Sequence, residues 1–226
     1  MTSIKAILFD HDGTLVDSEF VHFQMWAAIL DAYDIRLTEE DYINEYAGIP
    51  SPANAVVMVE KYGLAITPQN LNHAKSVATE GYLSNQAFPL VQGAKKVIES
   101  FSQEDVKLAI VTGAGTDAPT ATISANQLEA HFDTVVSGDD VEHGKPAPDC
   151  YLLAAQRLGV DPSECIAIED TANGVSAAYA ANIPCVAIAT NMSKHHDLSK
   201  AIKVVNDLVE AKDWIKKMYF SHADKL

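Results

Sequence analysis

Five short, nearly unbroken apolar runs constrain this fold more than any other feature. They are Ile4–Phe9, Lys107–Thr112, Thr134–Gly138, Cys165–Glu169 and Cys185–Thr190, each bounded by Gly, Asp, Asn or Pro. A strand that faced water on one side would alternate apolar and polar residues. Runs without alternation are buried on both faces, as in the middle of a parallel sheet. Between them lie helix-like stretches at Gly93–Ser102, Asp117–Leu128, Asp149–Leu158 and Asn173–Ala181, with a last one near Leu208–Lys217. Strand–helix alternation of this kind predicts an α/β fold with a doubly wound parallel sheet.

Residues 17–86 break the rhythm. No strand signal occurs there, and helical spacing puts Val21, Met25, Ala28 and Ile29 on one face, with Tyr42 and Tyr46 further on. The expected division is an α/β core of residues 1–16 and 87–226, interrupted by an α-helical insert of residues 17–86. Phe88-Pro89 marks the return to the core.

Composition then narrows the possible activities. Apolar residues make up 48% and charged residues 21% of the 226, which excludes a disordered chain. A formal charge of −15 disfavours nucleic acid and anionic membrane surfaces, so neither is expected as a partner. An anionic substrate would have to be drawn by a local cation. The three cysteines, Cys150, Cys165 and Cys185, form no C-x-x-C pair and read as free thiols of a reducing, cytoplasmic environment. No apolar run approaches the ~18 residues of a membrane span. The first such run after Lys5 is too short for a signal segment. A monomer or weak homodimer is expected.

The chemistry concentrates where the apolar runs end. In Phe9-Asp10-His11-Asp12-Gly13-Thr14, strand alternation brings Asp10 and Asp12 together and turns His11 away. That edge is where open α/β sheets bind ligands. Paired carboxylates repel unless a cation or proton lies between them. Gly13 permits a sharp turn and presents amides to an anion. Asp and Gly are also common in solvated strand-end turns, so the pair alone decides little. Cys165–Glu169 followed by Asp170 repeats the layout, and a converging set of carboxylates suits a hard cation such as Mg²⁺. Thr112 closes another strand, and Lys145 sits in Gly144-Lys-Pro-Ala-Pro-Asp149, where two prolines stiffen the turn. A hydroxyl and an ammonium near a divalent cation make a phosphate cradle.

These segments in order, Asp10-His-Asp-Gly-Thr-Leu-Val-Asp17, Thr112, Lys145-Pro-Ala-Pro-Asp149 and Glu169-Asp170, resemble the four motifs of the haloacid dehalogenase superfamily. The resemblance spans nearly the whole chain. It implies a Rossmann-like core with a helical cap of the type shared by β-phosphoglucomutase and phosphoglycolate-phosphatase-like enzymes. It also implies the roles. Asp10 would be the nucleophile and Asp12 the acid–base, with Gly13, Thr112, Gly113 and Lys145 binding phosphate. Mg²⁺ would be held by Asp10, the Asp12 backbone carbonyl and Asp170, with Glu169 in support. His22 would face the substrate from the first cap helix, four residues before Trp26 and on the same side. That His22 and Trp26 simply pack the cap is an equal alternative. The implied activity is a phosphatase acting on a small phosphorylated metabolite, by the subfamily a sugar phosphate. Dehalogenases lack an acid at the second motif position, so Asp12 points to phosphoryl transfer.

Other readings fit less well. Gly113-Ala-Gly115 with Asp133 mimics a dinucleotide fingerprint, but not in the first βαβ unit. Gly144-Lys145 fails the phosphate-loop spacing, and Gly13 falls at the wrong position for a calcium loop. A phospho-aspartate receiver is much shorter and has adjacent acids. A sugar phosphomutase is the closest competitor, and it needs basic residues on the cap for a second phosphate. Ser51 stands where the mutase pattern has Arg, and Ser76–Pro89 contains no Lys or Arg. The cap is therefore expected to lack such a pocket, unless Arg36, Lys61 or Lys75 reaches inward.

Overall fold

The computed structural model describes residues 3–191, 193 and 195–220. Its sheet contains β1 (Ala6–Phe9), β2 (Lys107–Val111), β3 (Thr134–Val136), β4 (Cys165–Glu169), β5 (Cys185–Ile188) and β6 (Lys203–Val205). The strands are all parallel, in the order β3-β2-β1-β4-β5-β6. β1 is central: Ala6 pairs with Lys107 on one side and Cys165 on the other. Every residue of β1 and β4 is buried, as their unbroken apolarity requires.

The core helices are α5 (Ala94–Phe101), α6 (Asp117–Asn126), α7 (Asp149–Leu158), α8 (Ala172–Ala180) and α9 (Leu208–Ile215) when numbered after four cap helices. The two sheet faces differ in side-chain size. Ile7, Phe9, Ile110, Ile166 and Ile168 pack against α5 and α9, whereas Ala6, Ala109 and Ala167 lie beneath α7 and α8. Small residues let α7 and α8 approach closely, which matters because Lys145 and Asp170 sit just before those helices.

Sequence reading misses β6. Two of its three residues are exposed, so this edge strand lacks the two-sided burial that marks the others. β2, β3 and β5 also stop short of the predicted ends, because Thr112, Ser137 and Ala189 already lead into loops at the carboxyl edge.

The helices between β1 and α5 are α1 (Glu19–Asp31), α2 (Glu39–Glu45), α3 (Ser51–Tyr62) and α4 (Pro68–Leu83). Thr38 and Thr67 cap α2 and α4 by accepting from the amides of Asp41 and Asn70. Trp26, Leu30, Tyr42, Tyr46, Met58 and Leu71 form a core of their own. The predicted face of α1 is partly wrong, since Ala28 is exposed. The physical reason is that α1 serves two cores. Val21 and Met25 pack at the seam with Phe88, while Trp26 and Leu30 enter the cap interior. The chain leaves and re-enters the α/β unit side by side: the Asp17 amide donates to Pro89 O at 2.8 Å, and Val16 bridges to Leu90. Among the described residues no helix is long and apolar enough to cross a membrane.

Candidate active site

The carboxyl ends of β1 and β4 place three buried acids together. Oxygens of Asp10, Glu169 and Asp170 lie within 4.8 Å of one another. The cluster depends on glycine at two positions. Gly13 has φ +84°, and a Cβ there would stand 2.2 Å from Asp170 Oδ2. A Cβ at Gly174, in the first turn of α8, would lie 1.9 Å from the Glu169 carboxylate. The Asp170 and Glu169 carboxylates therefore occupy the space that a side chain at either position would take.

Lys145 answers part of that charge. Its Nζ donates to Asp10 Oδ1 and Glu169 Oε1, both at 2.6 Å, and to Val111 O at 2.9 Å. Tyr151 from α7 donates to the same Glu169 oxygen at 2.8 Å. Burial alone would pull the Lys145 ammonium down, but Asp10 and Glu169 hold it well above the ordinary lysine value. Asp10 is pushed up to about 7 by burial and by Glu169, against the pull of Lys145. Burial, then Asp10, raises Asp170 well above the usual carboxylate range. Three carboxylates against one ammonium leave a surplus of negative charge in a closed space. Asp170 Oδ1 is buried with no hydrogen-bond partner. A bare, buried, hard anionic oxygen beside two others fits a small divalent cation.

Asp12 lies outside this cluster. Its Oδ1 accepts from Ser18 Oγ at 2.7 Å, and its Oδ2 accepts from Thr112 Oγ1 at 3.3 Å. Burial would raise its pKa, but His11, His22 and Ser18 hold the carboxyl well below the usual range. Gly113 follows Thr112 at the rim of the site, with open space where a side chain would stand. A cavity of about 390 Å³ opens beside Gly13 and runs past Asp17 and Glu19 to Thr190 and Asn191.

The expected outward orientation of His11 is corrected. β1 ends at Phe9, so strand alternation no longer governs residue 11. Its fully buried ring has Nδ1 3.3 Å from Asp12 Oδ2 and Nε2 3.0 Å from Thr122 Oγ1 on α6.

The expectation of a cap without an inward base also fails. Lys75 of α4 is buried, with Nζ 3.0 Å from His22 Nδ1 and 2.9 Å from Thr79 Oγ1. His22 Nε2 in turn stands 3.9 Å from Asp12 Oδ1. A helical repeat anchored on Leu71 carries Lys75 to the buried side of α4, a placement that residue type alone does not reveal. Arg36 and Lys61 do remain at the surface, Lys61 paired with Glu45. Burial and the neighbouring ammonium push His22 down to about 4, and burial pushes Lys75 down to about 8.

Glu19 is a further residue that the sequence reading leaves without a role. Its carboxylate accepts from Tyr42 OH at 2.7 Å and from the Gly48 amide at 3.3 Å, tying α1 to the loop before α3. Burial raises its pKa. Across the seam, the His196 ring stands against Gly48, where a Cβ would lie 2.8 Å from Cε1. Position beside the first motif is the one sequence signal for Glu19; His196 carries none.

The chain is 33% identical over 183 residues to fructose-1-phosphate phosphatase YqaB of Escherichia coli, covering 80% of this chain and 94% of the relative. It is 30% identical over 181 residues to the phosphorylated carbohydrates phosphatase of Thermotoga maritima, covering 80% and 82%. The phosphate complex of CbbY from Rhodobacter sphaeroides superposes with a TM-score of 0.77 at 25% identity, covering 92% of this chain and 96% of that one. The haloacid dehalogenase-like hydrolase family matches residues 7–188. With motifs, sheet order and relatives in agreement, the chain belongs to the haloacid dehalogenase-like hydrolases.

Proposed function

We propose that this enzyme is a Mg²⁺-dependent phosphatase that hydrolyses a small phosphorylated metabolite, in particular a sugar phosphate, through an aspartyl-phosphate on Asp10. One observation carries the reading. Asp10, Glu169 and Asp170 converge beneath Lys145 while Asp12 stands apart, held by different donors. Two aspartates two residues apart thus occupy different environments, as a nucleophile and an acid–base must. The phosphatase relatives support the same substrate class.

Asp10 attacks phosphorus in line while Asp12 gives a proton to the departing alkoxide. Asp12 then takes a proton from water, and that water releases phosphate from Asp10. The depressed pKa keeps Asp12 ionised and so able to accept a proton, while making it a weak base until water is polarised by the phosphoryl group it attacks. For the acid step it must first gain a proton, which the negative charge of an arriving phosphate ester favours. Lys145, Thr112 and the amide at Gly113 bind the transferring oxygens. Mg²⁺ held by Asp10, the Asp12 carbonyl and Asp170, with Glu169 behind them, would reduce the repulsion between carboxylate and phosphate.

Lys75 favours a second reading, the sugar phosphomutase, because a mutase needs a cation on its cap. Glu19, buried beside the same cleft, pulls on Lys75 without pairing with it, so this cation alone does not select the mutase, and the two phosphatase relatives favour hydrolysis. Hydrolysis is therefore preferred.

A phosphate-release screen over sugar and polyol phosphates tests the proposal. Turnover should require Mg²⁺, stop with chelator and fall at least ~10²-fold in Asp10→Asn. Turnover in excess chelator, or a fully active Asp10→Asn, refutes it. Isomerisation of β-glucose 1-phosphate outpacing phosphate release would establish the mutase.

A further inference from the structure

We propose that His11 is a positioning residue, which fixes the Asp12 carboxylate so that Oδ1 is the oxygen offered to the leaving group. The inference rests on Asp12 acting as the acid–base.

Three observations carry it. His11 is fully buried, and filling that position with a hydrocarbon would avoid the desolvation of an imidazole. Both ring nitrogens nevertheless have partners: Nδ1 meets Asp12 Oδ2 at 3.3 Å, and Nε2 meets Thr122 Oγ1 at 3.0 Å. Thr122 is itself 1% exposed on α6, so the far end of the link is anchored in packed structure. A carboxylate only accepts, so Nδ1 carries the proton in the pair with Asp12. In the neutral ring that makes Nε2 the acceptor of the Thr122 hydroxyl.

The second argument is directional. His11 and Thr112 both approach Oδ2, each at 3.3 Å. Ser18 and His22, at the base of the cap, approach Oδ1. The carboxylate is therefore clamped by one oxygen from the core, and its other oxygen is turned toward the cap, where the leaving group must lie. In the protonated carboxyl the two oxygens differ: donors on Oδ2 leave Oδ1 to carry the proton. A carboxyl free to rotate about the Cβ–Cγ bond would spend part of its time with that O–H turned away from the leaving group, and misplacement of a proton donor lowers the rate without altering substrate binding.

The test uses leaving groups of different basicity. An alkyl phosphate needs a proton from Asp12 as its C–O–P bond breaks, whereas nitrophenolate departs unaided. In His11→Leu, kcat/KM for the alkyl phosphate should fall about tenfold while that for p-nitrophenyl phosphate stays within twofold. His11→Asn can place an amide N–H near the position of Nδ1 and should recover most of the loss. His11→Gln can reach Thr122 but not Asp12, and it should behave like Leu; this pair decides the matter if the leucine variant fails to fold. Equal losses on both substrates, or full activity in Leu and Gln, would overturn the proposal. Asp12→Asn serves as the control. If it slows both substrates equally, the acid role of Asp12 fails by itself, whatever His11 does.

Discussion

Two buried lysines face the same cleft from opposite sides, and their surroundings could hardly differ more. Lys145, from the α/β core, lies between two carboxylates at 2.6 Å and holds its proton more tightly than a free lysine. Lys75, from the cap, has a histidine, a threonine and the Trp26 ring around it, with Nζ 5.9 Å from the ring centroid. Among the described residues no carboxylate lies within ion-pair distance of Lys75, and burial outweighs the more distant pull of Glu19 and Asp12. The core pairs its buried ammonium with two carboxylates. The cap buries a charge that its own structure leaves uncompensated. The difference teaches that the core fixes its ammonium with carboxylates of its own, whereas the cap surrounds its ammonium with neutral groups.

The largest expected effect comes from attacking the compensated side. Lys145→Met leaves Asp10 and Glu169 without their counter-ion, so it should lower stability by about 3–5 kcal/mol as well as remove activity. Urea unfolding in the presence of chelator measures it, and an unchanged midpoint would mean that the core charges do not depend on Lys145. Added Mg²⁺ should recover part of the stability, because a cation bound only by the folded state stabilises it.

Lys75→Met should do the reverse and so sharpen the contrast. With its pKa lowered from 10.5 to about 8, the folded chain binds fewer protons than the unfolded one between those pH values. Stability attributable to this residue therefore rises with pH across that window and is lowest below it. The methionine variant should unfold at a higher temperature than the parent at pH 7, and by a smaller margin at pH 10. Its kcat/KM should nonetheless fall about tenfold. A variant that is less stable at pH 7 would show that Lys75 is compensated after all.

A smaller effect is expected at the seam. Gly48 has φ +70°, and a methyl group there would press on the His196 ring. Gly48→Ala should cost about 1 kcal/mol of stability from the left-handed backbone. It should raise KM about threefold while kcat changes by less than twofold. A change confined to kcat would place Gly48 nearer the chemistry than the cap loop suggests.

The same contrast explains what was legible in the sequence. The core strands announce themselves because burial on both faces leaves no polar residue to blur the signal. Asp10, Asp12, Thr112, Lys145, Glu169 and Asp170 are legible for a related reason, since each ends or follows such a strand. β6 escapes because an edge strand has no second buried face. Lys75 and His11 escape for another reason: their behaviour depends on which partner the tertiary structure supplies. A lysine on an amphipathic helix is normally solvated, and only the packing of α4 against α1 makes Lys75 an interior group. His11 looks like the outward residue of a strand until the chain is seen to leave the strand at Phe9, two residues before it. The double allegiance of α1, split between the cap interior and the seam, blurs its helical face in the same way.

The position of β1 at the middle of the sheet has a consequence for how the molecule is made. Of the strands described, this one is synthesised first, yet its neighbours begin at Lys107 and Cys165. The helices in between are joined by short connections and pack on one another, contacts that are local in sequence and cheap in loop entropy. The strand that leads into Asp10 must instead wait for both flanking segments to emerge. The first of these strands to be synthesised thus stays unpaired until β2 emerges and gains its second neighbour only with β4, and the acidic cluster is incomplete on any nascent chain that stops short of Asp170.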